Sequence, residues 1–411
     1  MSHGKSPLAP ERFPDLPPVR GMRAGVGRVG LYKHMRDELL VAHFPNGASV
    51  GGAFTTSSTR SPDVDWCRRA LVAGGGRAQA LVVNAGNSNA FTGAAGAAKN
   101  AATVATITGL AHCPSDEVFL AATGVIGQPL PPNKVADCIP PVWAALDAPE
   151  WPRLAGAIAT TDTYPKGAGR TVAIDGVDVH IAGIAKGSGM IAPNMATMLV
   201  FLFTDADLSP AVVQALISKH VDLTFNTITV DGDTSTSDTL LLFATGASGA
   251  PRIEDPRDPR LAVFEAALHE TMLDLALQVV KDGEGAEKII RIEITGAAND
   301  ASARRIGLAI GNSPLLKTAV AGGDANWGRV VMAVGKSGEP IALEKLAIRM
   351  GGVWTARDGG AIAYDEKAVD AHFAGRSVDI LVDVGLAAGG AVVWTCDLTK
   401  RYIEINGDYR S

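Results

Sequence analysis

Lys186–Asp205 reads KGSGMIAPNMATMLVFLFTD, and its two halves follow different rules. Gly187, Ser188, Gly189, Pro193 and Asn194 fill the first half with turn formers, which predicts a tight, irregular loop. Met198 to Phe203 is an unbroken apolar run closed by Thr204 and Asp205. A run that short, rich in aliphatic and aromatic side chains, predicts a strand buried on both faces. Thr197 is the last polar residue before it. A single hydroxyl carried on a rigid strand and fed by a kinked loop is one way to present a nucleophile. The plainer alternative is a threonine that hydrogen-bonds its own backbone at a loop-to-strand junction.

The rest of the chain bounds the choice. Its 411 residues exceed what one compact core usually holds, so two lobes or a large layered domain are expected. With 47% hydrophobic and 19% charged residues, disorder is excluded. A net charge of -6 with scattered basic residues argues against a nucleic-acid surface. Cys67, Cys113, Cys138 and Cys396 lie far apart with no CxxC pair, which suits reduced thiols in a cytoplasmic chain. No segment approaches the roughly 20 apolar residues of a membrane span. The Pro-rich, polar start has no apolar signal core and predicts an extended arm over the first twenty residues. The eight histidines are dispersed, and Asp231–Asp238 lacks the glycine and glutamate of a calcium loop, so no metal site is expected. That segment is expected to cap its neighbour or to line a polar pocket. Gly25–Gly30 has GxGxxG spacing but no clear strand before it and no Rossmann unit after it, so a dinucleotide site is set aside.

Periodicity and turn residues predict strands at Gln79–Val83, Glu117–Ala122, Thr171–Ile174, Val177–Ile184, Ile228–Val230, Glu287–Thr295, Ile341–Met350, Val378–Val384 and Val392–Cys396. Helices are predicted at Asp65–Val72, Gly96–Leu110, Val135–Leu146 (with a break at Pro140 and Pro141), Trp151–Ala159, Pro210–His220, Asp258–Val280 and Ser302–Ile310. Asp175-Gly176 reads as a two-residue hairpin turn. Asp258 is expected to cap the longest helix and Gly283 to close it. The strand ending at Thr123-Gly124 would present backbone N–H groups of the kind that acyl chemistry aims at a developing oxyanion, unless it is a plain strand-to-loop turn. Glu284 stands between two glycines, which leaves room for backbone or ligand to crowd it.

Taken in order, AGNSNAFTG, ATGVIG, TTDTYPK, KGSGMIAPNMATM, ITVDGDTSTSDT, KDGEGA, GGDANWGR and INGDYRS resemble the ornithine acetyltransferase family, also called the glutamate N-acetyltransferase or ArgJ family of arginine biosynthesis. The resemblance runs from about Gly21 to Ser411. It implies an α/β protein with the layered α/β/β/α-type fold of the DmpA/ArgJ-like self-cleaving Thr-nucleophile superfamily. It further implies a precursor that cuts itself between Ala196 and Thr197, leaving residues 1–196 as an α chain and 197–411 as a β chain. Thr197 then carries the acetyl group, Thr123 and Gly124 form the oxyanion hole, and Thr160, Lys186, Thr197, Glu284, Asn406 and Ser411 bind substrate. The implied substrates are N-acetylornithine and glutamate, the implied assembly an α2β2 heterotetramer. No cofactor is implied; acetyl-CoA would enter only as a second acetyl donor, making the enzyme bifunctional.

The chemistry of the residues agrees. A threonine hydroxyl is a poor nucleophile without an adjacent base. An α-amine, with a reference pKa of about 7.7–8.0, is such a base near neutral pH, and cleavage before Thr197 would create one on the same residue. A DmpA-type aminopeptidase or amidase would use the same threonine with water as acceptor. An uncleaved protein that binds acetylated amino acids is the non-enzymatic alternative.

Overall fold

The computed structural model describes residues 4–192 and 198–407. Among them, β1 (Arg23–Gly27), β2 (Leu39–Phe54), β3 (Arg77–Asn87), β4 (Val118–Val125), β5 (Lys166–Ile174), β6 (Val177–Lys186), β7 (Leu199–Thr204) and β8 (Thr239–Ala244) form one sheet. Its order is β4-β3-β2-β8-β7-β6-β5, with β1 alongside the first half of β2. The β3–β4 and β7–β8 pairs are parallel and the others antiparallel. A second sheet holds β9 (Ile289–Ala297), β10 (Ala347–Met350), β11 (Val353–Arg357), β12 (Gly360–Ala361), β13 (Ser377–Asp383) and β14 (Gly389–Cys396) in the order β12-β11-β10-β13-β9-β14.

Strand β7 explains why its sequence does not alternate. Leu199, Phe201 and Phe203 enter one core with Leu241 and Phe243, beneath helices Pro62–Ala73, Gly93–Ala111 and Trp151–Ile158. Val200 and Leu202 enter the opposite core with Leu240 and Leu242, beneath helices Pro210–Val221 and Leu261–Lys281. Layers on both faces demand an apolar residue at every position. The smaller sheet buries one face: Ile290, Ile292 and Ile294 of β9 pack with helices Asp300–Gly311, Pro314–Ala321, Trp327–Gly335 and Glu366–Phe373, while Arg291 and Glu293 stay half-buried. Ile289 and Cys396 complete the second core and join the two sheets.

Asp175 and Gly176 both have positive φ (50° and 80°), as a type I′ hairpin requires, and join β5 to β6. The N-terminal arm lies along β5, where Phe13 covers Gly167 and Pro17 covers Gly169. Other expectations are corrected. The strand expected to stop before Thr123 continues to Val125, because parallel pairing with β3 persists as far as Asn87. The longest helix begins at Leu261 rather than Asp258, whose carboxylate instead accepts the Arg260 N–H at 3.0 Å in a turn ahead of the helix. It ends without a left-handed glycine, its last cap being Asp282. Ile228–Val230 is reduced to a bridge because Thr229 N–H donates to Trp394 while Val230 N–H donates to Ile191. The Val135–Leu146 segment splits into Asn133–Ala136 and Ile139–Ala144, with Pro140 in the first turn of the second piece, where a missing N–H costs little. Only Ala347–Met350 of the predicted 341–350 strand is extended.

Phe243 stacks on Phe44 and Phe203, with centroids 4.8 and 5.6 Å away, at the centre of the first core. Phe243→Ala is expected to lower stability by roughly 3–5 kcal/mol in urea unfolding. Phe91→Ala, at a site 83% exposed, should stay within about 0.5 kcal/mol of wild type.

Candidate active site

A cavity of about 360 Å3 opens where β4 and β6 end, and six of the expected site residues line it: Thr123, Gly124, Thr160, Lys186, Glu284 and Asn406. Ala196, Thr197 and Ser411 lie outside the described residues. Met198, which follows Thr197, donates its N–H to Asp238 Oδ1 at 2.8 Å. Ser88, Ser188, Asp231, Ser235, Thr236, Ser237 and Tyr402 complete much of the wall. The Asp231–Ser237 segment therefore lines a polar pocket, one of its two expected tasks.

At the floor, Lys186 is the last residue of β6 and is 2% exposed. Its Nζ donates to Thr123 Oγ1 at 2.9 Å. Burial is the main force lowering its pKa, opposed by the Asp162 carboxylate and reinforced by Lys166. Gly124 has φ +130°, and a Cβ there would stand 2.3 Å from the Gly86 carbonyl carbon. The close approach that this glycine permits is thus to the neighbouring strand, and it lets the β3–β4 pair run up to the cavity.

Two loops bring Thr160 and Glu284, helix Lys400–Gly407 brings Asn406, and one buried ion cluster ties the two loops to the end of β6. Lys166 Nζ donates to Asp162 Oδ1 at 2.5 Å and to Asp282 Oδ2 at 2.6 Å, all three side chains being at most 1% exposed. Asp162 also accepts the N–H groups of Thr160 (2.9 Å) and Gly187 (2.7 Å), while Asp282 accepts from Thr163 N–H. The loops carrying Thr160 and Glu284 and the turn that follows Lys186 therefore hang from a single cation. Burial pushes the Asp162 carboxyl up, but Lys166, Lys186 and the Gly187 N–H outweigh it and hold it well below the usual range. Burial likewise opposes the charge on Lys166, and the two carboxylates more than restore it.

Glu284 reaches the cavity because Gly189 has no side chain: a Cβ there would lie 2.5 Å from the Glu284 carboxyl carbon. Asn406 Nδ2 donates to Glu284 Oε2 at 2.7 Å, and Glu284 N–H donates to Ser188 O at 2.9 Å. The flanking Gly285, at φ +76°, is crowded by the backbone of Arg401 and Tyr402, so here backbone fills the room that glycine leaves. Asp231 accepts the N–H groups of Met190 (2.6 Å) and Ile191 (3.0 Å) and the Tyr402 hydroxyl (3.1 Å). Sequence reading assigned no role to Asp162, Lys166, Asp282 or Tyr402. Among the described residues no group of His, Cys, Asp and Glu is placed to hold a metal ion.

A layered α/β protein with a polar cavity at its strand ends, furnished with one buried lysine and the carboxylates of Asp231, Asp233 and Glu284, is equipped to bind a small zwitterionic molecule. The chain belongs to the ArgJ family, whose model matches residues 23–411. It is 53% identical over 402 residues to the arginine biosynthesis bifunctional protein ArgJ of Caulobacter vibrioides, covering 97% of this chain and 100% of that one. It is also 53% identical over 415 residues to the ArgJ protein of Rhizobium meliloti, with both chains fully covered. Among solved structures, ArgJ of Bacillus halodurans matches at 40% identity and a TM-score of 0.50, covering 52% of this chain and 100% of that one.

Lys166→Met leaves two buried carboxylates without their cation and is expected to cost roughly 3–5 kcal/mol in thermal or urea unfolding. Asp162, held below its unfolded value, contributes stability that is complete above about pH 4 and is lost as the pH falls through its folded value. The stability gap between wild type and Asp162→Asn should therefore narrow from about pH 7 to about pH 3.

Proposed function

We propose that the cavity transfers an acetyl group from N2-acetyl-L-ornithine to L-glutamate through an acetyl ester on Thr197, after the chain cuts itself between Ala196 and Thr197. The observation that carries this reading is that one cavity gathers Thr123, Gly124, Thr160, Lys186, Glu284 and Asn406 from five separate segments. The Thr197 hydroxyl attacks the acetyl carbonyl while the α-amine of the same residue takes its proton and passes it to the departing ornithine nitrogen. Thr123 and Gly124 hold the oxyanion. Glutamate then attacks the ester through its amine, and the hydroxyl is restored. Lys186, which spends one N–H on Thr123, pairs with the substrate carboxylate. Glu284, steadied by Asn406, pairs with the side-chain ammonium, and Thr160 and Ser411 add hydrogen bonds.

The Bacillus halodurans chain matches just over half of this sequence over its own full length, and the piece 197–411 is likewise just over half of the chain. That correspondence supports a cut near the middle. The pieces 1–196 and 197–411 assemble as an α2β2 heterotetramer in the cytoplasm. No helix among the described residues is long and apolar enough to cross a membrane. No cofactor takes part; acetyl-CoA is a second acetyl donor at the same threonine.

Wild type is expected to give two fragments of about 20 and 22 kDa, the 42.4 kDa chain divided by residue count. Thr197→Ala should give one band. The cut enzyme should release ornithine steadily from acetylornithine only with glutamate present; equal release without it would establish the amidase alternative. Lys186→Ala should raise KM for acetylornithine roughly 10- to 100-fold, the worth of a charged hydrogen bond, and an unchanged KM would remove Lys186 from substrate binding.

A further inference from the structure

Asp238 has no task in that scheme, yet its surroundings are those of a proton-transfer group. It closes the polar segment whose Ser235, Thr236 and Ser237 line the cavity, and it is 0% exposed. Its Oδ1 accepts the Met198 N–H at 2.8 Å. Its Oδ2 is sealed from solvent and makes no sound hydrogen bond with any described residue. A sealed carboxylate oxygen without a partner is costly, and protonation relieves that cost. Burial, ahead of the opposing pulls of the Met198 N–H, Lys186 and Ser235, raises this carboxyl well above the usual range. Lys186 is the cation that faces it, itself held between Asp162, Lys166 and Glu284, with its Nζ donating to Thr123.

Connectivity puts this acid close to the bond to be cut. Three covalent bonds separate the Met198 nitrogen from the α-nitrogen of Thr197, and four separate it from the Thr197 hydroxyl oxygen. A carboxyl bonded to the Met198 N–H is thus within one residue of both atoms that change partners. Resting on the reading that the Thr197 hydroxyl cuts the chain, we infer that Asp238 is the general acid of that self-cleavage. The Thr197 oxygen bonds to the Ala196 carbonyl carbon, and the C–N bond breaks as Asp238 gives its proton to the leaving nitrogen. Asp238 takes up the Thr197 hydroxyl proton as it releases its own, so the acid is regenerated. Water then hydrolyses the Ala196 ester, leaving the Ala196 carboxylate and a free Thr197 hydroxyl and amine.

Asp238→Asn retains an oxygen for the Met198 N–H but removes the acid, whereas Asp238→Glu retains the acid on a longer arm. Freshly synthesised full-length wild type, Asp238→Asn, Asp238→Glu and Thr197→Ala chains are followed over time by denaturing gel and intact mass. Asp238→Asn is expected to cleave about 100-fold or more slowly than wild type, within the range a general acid supplies. Asp238→Glu should recover part of the rate, which a purely structural role would not predict, since Asn is the closer isostere. Cleavage of Asp238→Asn at the wild-type rate overturns the inference. If Asp238→Asn does not melt cooperatively, Asp238→Gln against Asp238→Glu replaces it, and equal rates overturn the inference. A wild type that stays whole, or a Thr197→Ala chain that is cut, overturns the underlying self-cleavage reading instead.

Discussion

The site depends on a lysine that has no contact with solvent. Lys166 is fully buried and bonded to two carboxylates, Asp162 and Asp282. Removing three charges from water is favourable only when every one is matched and geometrically fixed. Here the matching groups sit on different loops, so the electrostatic requirement doubles as a positional one. Asp162 cannot keep Lys166 without also holding the Thr160 and Gly187 N–H groups. Asp282 cannot keep it without fixing the start of the loop that carries Glu284. The N-terminal arm is tied to the same point, because the Ser6 hydroxyl donates to Lys281 O at 2.6 Å and the Ser6 N–H donates to Thr163 Oγ1 at 2.9 Å.

The large sheet supplies rigidity of another kind. Covered on both faces, β7 and β8 have no solvent-facing side chains to trade, and the Ser235–Ser237 segment just before β8 lines the cavity. In β7 and β8 the polar residues stand at the ends, as Thr204 and Thr239. Lys186 at the end of β6, Thr123 near the end of β4 and Asp238 just before β8 are where backbone leaves the core and side chains can turn to chemistry.

Much of this was legible in the sequence. Met198–Phe203 announced a strand because burial on both faces leaves an unbroken apolar run, and Asp175-Gly176 announced its hairpin because few residue pairs accept two positive φ values. By contrast β1 was hidden, since Arg23–Gly27 is glycine-rich and mimics a dinucleotide loop. Its glycines instead lie close under Val142 and Leu146. The long β2 was missed because Pro45-Asn46-Gly47 reads as a turn, whereas the strand absorbs it as a shift in register between His43 and Ala48. The cavity residues were found through motifs shared with a family. The cluster beneath them lay inside two of those motifs, but Lys166 and Asp282 stand 116 residues apart, and no local pattern marks such a pair.

The strand order carries a consequence for a chain cut between β6 and β7. β7 and β8 would belong to the second piece, yet they sit between β2 on one side and β6 on the other, both from the first. The second piece would interrupt the first's hydrogen-bond ladder, so the large sheet is continuous only when both pieces are present. Such a pair is joined by interleaving rather than by docking. The first piece would lose the middle of its sheet without the second, and the loss of one peptide bond would leave a single body with two new chain ends.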